Sequence, residues 1–234
     1  MKKLSPKGYE KLIRIFQSLS GARSLWESFN DCINLFSLSF QNFTECGDVF
    51  RKNEEEYKQI IGRYKKEEQK LIFQLFAELS NEYEMNPFQD LLGELYMRLD
   101  MGSKTLGQFF TPYHLAQLCA EMADIALIKQ EIANNGFITI NEPSCGAGAN
   151  IIATMELLYR NGINYQKEVV VVCQDISALT AKMCHVALSF LGCQAVIKIG
   201  DTLANPFERY SAERLKSNLL KTPFFILYGG YKKV

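Results

Sequence analysis

The sequence is poor in histidine, lacks paired cysteines and carries no excess of either charge, and each shortage narrows what the chain can be. Histidine occurs only as His114 and His185. The cysteines Cys32, Cys46, Cys119, Cys145, Cys173, Cys184 and Cys193 are odd in number and contain no C-x-x-C pair. That pattern argues against a structural zinc site, and no metal is expected. With no secretory signal ahead of them, the cysteines are expected as buried, reduced thiols in a cytoplasmic protein. No apolar run approaches the roughly 18 residues of a membrane helix, so no membrane contact is expected. Lys+Arg and Asp+Glu both number 26, whereas a stand-alone nucleic-acid binder usually shows a basic excess. The one local surplus is residues 209–234, with a net +5, read as a solvated tail rather than a phosphate-contacting patch.

What is present points to a packed protein. Hydrophobic residues make up 47% of the chain and charged residues 22%, a balance that supports a core and excludes global disorder. The 234 residues allow one generous domain or two small ones. Residues 1–104 read as helical throughout. "SPKGYEKLIRIFQSL" begins with Ser5 as N-cap and Pro6 at the first helical position. Residues 23–43 carry a dense apolar stripe, and "RKNEEEYKQIIGRYKKEEQK" reads as a solvated helix face. Residues 66–83 and 88–100 add two amphipathic stretches that should dock as part of one bundle.

Residues 105–234 have a different grammar. A helix of about 17 residues is expected from Thr111-Pro112, with Leu115, Leu118, Cys119, Met122 and Ile125 on one face. Strands and helices then alternate. "FITI" (137–140), "EVVVVCQ" (168–174), "AVIKI" (195–199) and "PFFIL" (223–227) read as strands. Helices are expected after the glycine turn, after Ser177, and over 208–220. This alternation predicts a parallel sheet with helices on both faces.

The segment "INEPSCGAGANII" (140–152) is a strand, a carboxylate, a glycine turn and a helix start. Gly146 and Gly148 permit positive φ and close approach of a ligand. The helix N–H groups beyond them favour polar or anionic ligand atoms. Glu142, Asp175 and Asp201 stand at the ends of three successive strands, on one rim of the sheet. A carboxylate there can hold ribose hydroxyls or accept a hydrogen bond from an amino group. A single such signal is often a plain turn or helix cap; the three together indicate a ligand site.

The motifs "GQFFTP" (107–112), "NEPSCGAGA" (141–149), "QDI" (174–176) and "GDTL" (200–203) resemble those of the N6-adenine DNA methyltransferases, in particular the modification subunits of type I restriction-modification systems. The resemblance implies an α/β fold, a helical bundle followed by a truncated Rossmann-like sheet, with S-adenosyl-L-methionine as cofactor and DNA as a partner. It implies that Thr111 meets the methionine carboxylate and that Phe110 packs on the cofactor. Glu142, Pro143, Gly146 and Gly148 would lie under methionine and ribose. Asp175 would hold the ribose hydroxyls with Ile176 beside it, and Asp201 would hold the adenine amino group. Cys145 sits where the family tolerates cysteine without covalent chemistry and is read as structural.

The chain departs from the family at the catalytic motif, Asn/Asp-Pro-Pro-Phe/Tyr after the fourth strand, which grips and stacks a flipped adenine. Aligned on the expected fourth strand, Tyr228 takes the amide or carboxylate position, Gly229 and Gly230 replace the prolines, and Tyr231 keeps the aromatic ring. A neutral, bulky phenol is a poor substitute for that acceptor. "NPF" (205–207) follows Asp201 too closely to replace the motif and reads as a turn. The expected reading is a methyltransferase-like protein inactive alone. The alternatives are a non-catalytic partner or decoy in a restriction-modification or mobile-element system, and a small-molecule methyltransferase. Ending on a fourth strand leaves a sheet edge open to a protein partner or a second copy.

Overall fold

The computed structural model describes residues 6–21, 23–99, 110–207 and 219–230. Ser5, the 101–107 connection, residues 208–218 and Tyr231 lie outside them. The first half is helical: α1 (Pro6–Leu19), α2 (Leu25–Asn42), α3 (Gly47–Ile61), α4 (Lys66–Met85) and α5 (Leu91–Arg98). A capping box starts α2, with Ser24 Oγ accepting from Glu27 N and the Glu27 carboxylate accepting from Ser24 N. Asp90 starts α5 by accepting from Gly93 N at 3.0 Å. Leu12, Phe16 and Leu19 of α1 are buried, and α1 packs on α2 and α4. The charged α3 buries only Ile60, as its alternating charges predict.

The second half comprises α6 (Tyr113–Ala120), α7 (Ile125–Asn135), β1 (Ile138–Glu142), α8 (Ala149–Arg160), α9 (Tyr165–Glu168), β2 (Val169–Asp175), α10 (Ala178–Leu191), β3 (Gln194–Ile199), β4 (Leu219–Lys221) and α11 (Pro223–Leu227). The sheet order is β1-β2-β3-β4. The first three strands are parallel, with Glu142 opposite Cys173 and Asp175 opposite Ile199. Side chains of Val169, Val171, Cys173, Ala195 and Ile197 join one core with α8, α10 and the helical half. The alternate residues Val170, Val172 and Val196 face the other way, against Phe225 of α11.

Several sequence expectations are corrected. Residues 223–227 form α11 rather than a fourth strand, and the strand is 219–221, antiparallel to β3. Pro223 explains the change: it offers no N–H to a ladder but suits the first turn of a helix. The expected helix over 208–220 is replaced at its end by β4, and its remainder lies outside the described residues. The long helix after Thr111-Pro112 is two helices, because Asp124 accepts from Leu127 N at 3.0 Å and starts α7 afresh. The apolar face is not the one that is buried. Ala116 and Ala120 pack on Ala149, Ala153 and Leu157, while Leu115, Leu118 and Met122 are 43%, 63% and 83% exposed. Small residues let α6 approach α8 closely and turn the larger ones outward. Finally, the chain steps across β1, β2 and β3 in one direction, so both crossover helices lie on the same face; among the described residues the short α11 supplies the helix on the other.

The two halves share one core. Phe190 of α10 meets Phe40 at 5.1 Å and 87°, Phe76 at 5.3 Å, and stacks on Tyr83 at 5.1 Å. Such pairs add about 0.5–1.5 kcal/mol each beyond their area. His185 of α10 is fully buried nearby. Its Nε2 lies 3.0 Å from the Lys221 carbonyl and its Nδ1 3.0 Å from Ser37 Oγ. A carbonyl can only accept, so Nε2 carries the proton and Ser37 donates to Nδ1. One imidazole thus ties α2, α10 and β4 together. At the same junction Lys221 pairs with Glu45 at 2.6 Å.

Burial lowers the pKa of His185 to about 4. The unfolded chain takes up a proton near pH 6.5, so this imidazole's contribution to stability is present above that value and lost as pH falls toward 4. Burial has the opposite effect on Asp90, raising it to about 7, which favours the fold at low pH. Melting curves from pH 7.5 to 4.5 should therefore show wild type losing ground to His185→Gln as pH falls. A constant gap between the two proteins would contradict the burial of a neutral imidazole.

Candidate functional site

The site is built where β1 and β2 end. Gly146 and Gly148 have φ of 52° and 100°, left-handed conformations that side-chain-bearing residues adopt at a cost of about 1–2 kcal/mol. Space adds a second demand. A Cβ on Gly146 would lie 3.3 Å from the Phe110 ring, and one on Gly148 3.3 Å from Cys184 Sγ. The glycines therefore let the chain turn tightly between an aromatic ring and a helix. Gly148 N donates to the Cys145 carbonyl at 2.8 Å, closing the turn. Cys145 N donates to the Gln174 carbonyl at 2.9 Å, hanging the turn on the neighbouring strand.

Asp175 completes the suspension. Its Oδ2 accepts from Gly146 N at 2.8 Å. Its Oδ1 accepts from Ser177 N at 2.9 Å and from Thr180 Oγ1 at 2.8 Å. The carboxylate joins the glycine turn after β1 to the helix start after β2, and with about four lone-pair sites it keeps capacity for a ligand. Glu142 is half-buried at the end of β1 and accepts from Ser144 N and Asn150 Nδ2, both at 3.2 Å. Asp201 is exposed past β3 and accepts from Leu203 N at 2.8 Å. Thr202 Oγ1 donates to the Pro143 carbonyl at 2.5 Å, bridging the β3 loop to the glycine turn. Ile176 is 72% exposed on the same rim, an apolar residue beside three carboxylates.

The expected residues are brought together unequally. Glu142, Pro143, Gly146, Gly148, Asp175, Ile176 and Asp201 share the rim of the parallel strands, and Phe110 rests on Gly146. Thr111 is exposed at the start of α6 and lines, with Phe110, a neighbouring cleft of about 650 Å³. That cleft also holds Tyr9, the buried Asp90 and Glu156. Tyr228 is not brought to the rim. Its ring lies 5.5 Å from Phe224, and Phe224 approaches Gly192, just ahead of β3. Asp201 follows the far end of that strand, about 20 Å away. Asn205 is in a turn, where its carbonyl accepts from Gln174 Nε2 and Lys198 Nζ, both at 2.9 Å.

Sequence reasoning missed Asn150, Thr180 and Thr202. Asn150 is half-buried in the first turn of α8, and its Oδ1 is buried without a partner. Its position directly after "CGAGA" was the available signal. An unpartnered acceptor beside Glu142 suits a ligand's ammonium or hydroxyl donor. The residues present therefore fit an amino acid–nucleoside ligand. Asn150 and Glu142 offer acceptors, the glycine turn leaves room for close approach, and Asp175 and Asp201 lie along the rim. Cys145 is 6% exposed. The bond to Cys173 lowers its thiol, but the bond to Cys184 and burial outweigh it, leaving the group well above the ordinary thiol range, unlike a nucleophile.

A parallel Rossmann-like sheet with a glycine turn and strand-end carboxylates defines a nucleoside-cofactor fold of the methyltransferase kind. The N-6 DNA methylase family model matches residues 88–223, more than half of the sequence, and the chain belongs to that family. Its cofactor is S-adenosyl-L-methionine. Among solved structures, a class I S-adenosylmethionine-dependent methyltransferase from Listeria monocytogenes aligns over 96% of this chain and 70% of its own, at 15% identity and a TM-score of 0.46. A DrdV–DNA complex aligns over 80% of this chain and 21% of its own, at 17% identity and a TM-score of 0.33, so this chain spans about a fifth of DrdV. No curated protein matches the sequence. Among the described residues, no helix is long and apolar enough to cross a membrane.

Replacing Asp175 by Ala should remove a charged acceptor serving three donors. The expected loss is on the order of 1.5–3 kcal/mol, read as a fall of about 3–12 °C in melting temperature. Gly148→Ala should cost at least about 1 kcal/mol through its backbone conformation. Unchanged melting of both variants would show that the turn is not held as described.

Proposed function

We propose that this chain is the cofactor-binding part of an N6-adenine DNA methyltransferase and does not methylate DNA alone. The observation that supports cofactor binding best is the glycine turn suspended from Asp175, with Glu142 and the unpartnered Asn150 oxygen beside it. In this reading Thr111 and Phe110 close the methionine end, and Glu142, Asn150 and the turn orient it. Asp175 and Ile176 take the ribose side, and Asp201 the adenine. The cofactor supplies an electrophilic methyl group; the chain's own residues bind, orient and shield it.

Inactivity rests on the base-gripping position. The sequence contains no Asn/Asp-Pro-Pro-Phe/Tyr motif, and Tyr228, the residue its acceptor position aligns with, caps the end of α11 away from the rim; loss of one such positioned partner costs about 10²–10³ in rate. Tyr228 also stands at the opposite end of β3 from Asp201. The neutral overall charge gives little help in holding a duplex.

A protein partner fits the outer edge of β1. The expectation placed an open edge beside the fourth strand; β4 is an edge, but β1 is the other and the more exposed, with Thr139 and Asn141 open to solvent. A strand added beside β1 would reverse the strand order at the glycine turn, and such a switch point is where open α/β sheets bind ligands. The outward Leu115, Leu118 and Met122 of the α6 region supply apolar surface in the same half. This surface also favours the second reading, a non-catalytic partner or decoy of a restriction-modification or mobile-element system. A methyltransferase partner would bring the missing catalytic motif; a decoy would bind without restoring activity.

Isothermal titration of the full chain with S-adenosyl-L-methionine should show one site without DNA, weakened roughly 10–100-fold by Asp175→Ala, the equivalent of about 1.5–3 kcal/mol. Labelled methyl transfer to unmodified DNA should be absent, and Tyr228→Asn with Gly229→Pro and Gly230→Pro should not restore it. No binding at millimolar cofactor by the folded chain would refute the pocket. Transfer by the wild-type chain alone, abolished by Asp175→Ala, would refute the claim of inactivity.

A further inference from the structure

Beneath the glycine turn lie three cysteines that the cofactor site does not use. Cys145 comes from the turn, Cys173 from β2 and Cys184 from α10. They are 6%, 0% and 0% exposed, and their sulfurs all lie within 4.8 Å of one another. The thiols hydrogen-bond among themselves. The cluster is thus assembled from three elements that meet at one point, and a Cβ on Gly148 would press on Cys184 Sγ at 3.3 Å.

Charge decides what such a site can hold. Asp175 bears on Cys145 and Cys184, and Glu142 on Cys173. A tri-thiolate around a monovalent ion would carry a net charge of −2, and around a divalent ion −1, in a buried place already next to carboxylates. Uncompensated buried charge is strongly disfavoured. A divalent zinc ion would also want a fourth ligand, and the cluster found among the described residues offers three. A trivalent thiophilic ion gives a neutral complex with three thiolates. Soft thiolate donors also suit such an ion better than hard cations.

We propose that Cys145, Cys173 and Cys184 form a three-sulfur site for trivalent arsenic and ions of its chemical class, taken up as the neutral hydroxide. In this exchange three S–H bonds give their protons to three departing hydroxides. Three As–O bonds break, three As–S bonds form, and three waters leave, with no change in oxidation state. The ion cross-links the glycine turn to β2 and α10 from below. Entry requires local opening of the turn, where Cys145 has the little exposure the cluster possesses. The site rests on the sulfur geometry and does not depend on methyl transfer.

Arsenite is the probe. The reduced full chain, kept in a phosphine reductant, would be loaded with arsenite and measured by native mass spectrometry and arsenic X-ray absorption. The expected result is one arsenic per chain bound by three sulfurs. Cys46→Ser with Cys119→Ser, which removes the exposed thiols, should bind equally. Cys184→Ser and Cys145→Ser should each weaken binding at least 100-fold while circular dichroism and melting show a folded chain. The wild-type spectrum decides even where a variant fails to fold: fewer than three sulfurs around arsenic, or no bound arsenic, overturns the site. Undiminished binding by a folded Cys184→Ser chain overturns it as well.

Discussion

The hydrogen bond from Gly146 N to Asp175, 2.8 Å long, is the contact on which the candidate site depends. Strand pairing brings the ends of β1 and β2 side by side, but pairing alone does not fix what the chain does after β1. The carboxylate does this by holding the turn amide on one oxygen and the start of α10 on the other. Phe110 then rests on Gly146, and Glu142 and Asn150 face each other across the turn. A charge-assisted bond of this kind is about twice as strong as a neutral one. Asp175 is therefore the support of the candidate rim as well as one of its carboxylates.

The same geometry decides which surfaces of the protein are open. Three parallel strands laid down in one direction place both crossover helices on one face. Among the described residues, the other face is met by Phe225 of a short helix, and β1 is an edge of the sheet. A parallel strand exposed at an edge is uncommon because its unpaired backbone groups invite pairing. Here the edge strand carries the glycine turn. The helical half is tied to the sheet domain: Phe190, His185 and Lys221 bind the two through rings, an imidazole and an ion pair.

Much of this was legible in the sequence. The continuous valines of β2 announced a buried parallel strand, Ser177 and Gly192 marked the two ends of α10, and the spacing of Glu142, Asp175 and Asp201 gave the rim. The misses have physical causes. "PFFIL" is apolar enough for a strand, but Pro223 decides for a helix, a local rule overridden by composition in the reading. Helical periodicity picks out the apolar stripe of the α6 region, but close approach through Ala116 and Ala120 turns that stripe outward. Asn150, Thr180 and Thr202 are ordinary polar residues in sequence. Their roles come from partners 8, 5 and 59 residues away; only Asn150, directly after the glycine turn, carries a local signal. Tyr228 was aligned on a strand that does not exist, and with the strand goes its place at the rim.

The most direct test of the central claim is hydrogen exchange across residues 143–152, followed peptide by peptide with and without S-adenosyl-L-methionine. If Asp175 suspends the turn and the cofactor lies on it, the free wild-type chain should exchange this segment slowly, and the cofactor should slow it further. Asp175→Ala should exchange it fast and gain no protection. Equal exchange in wild type and Asp175→Ala, or protection by the cofactor confined to segments away from the turn, would contradict the account.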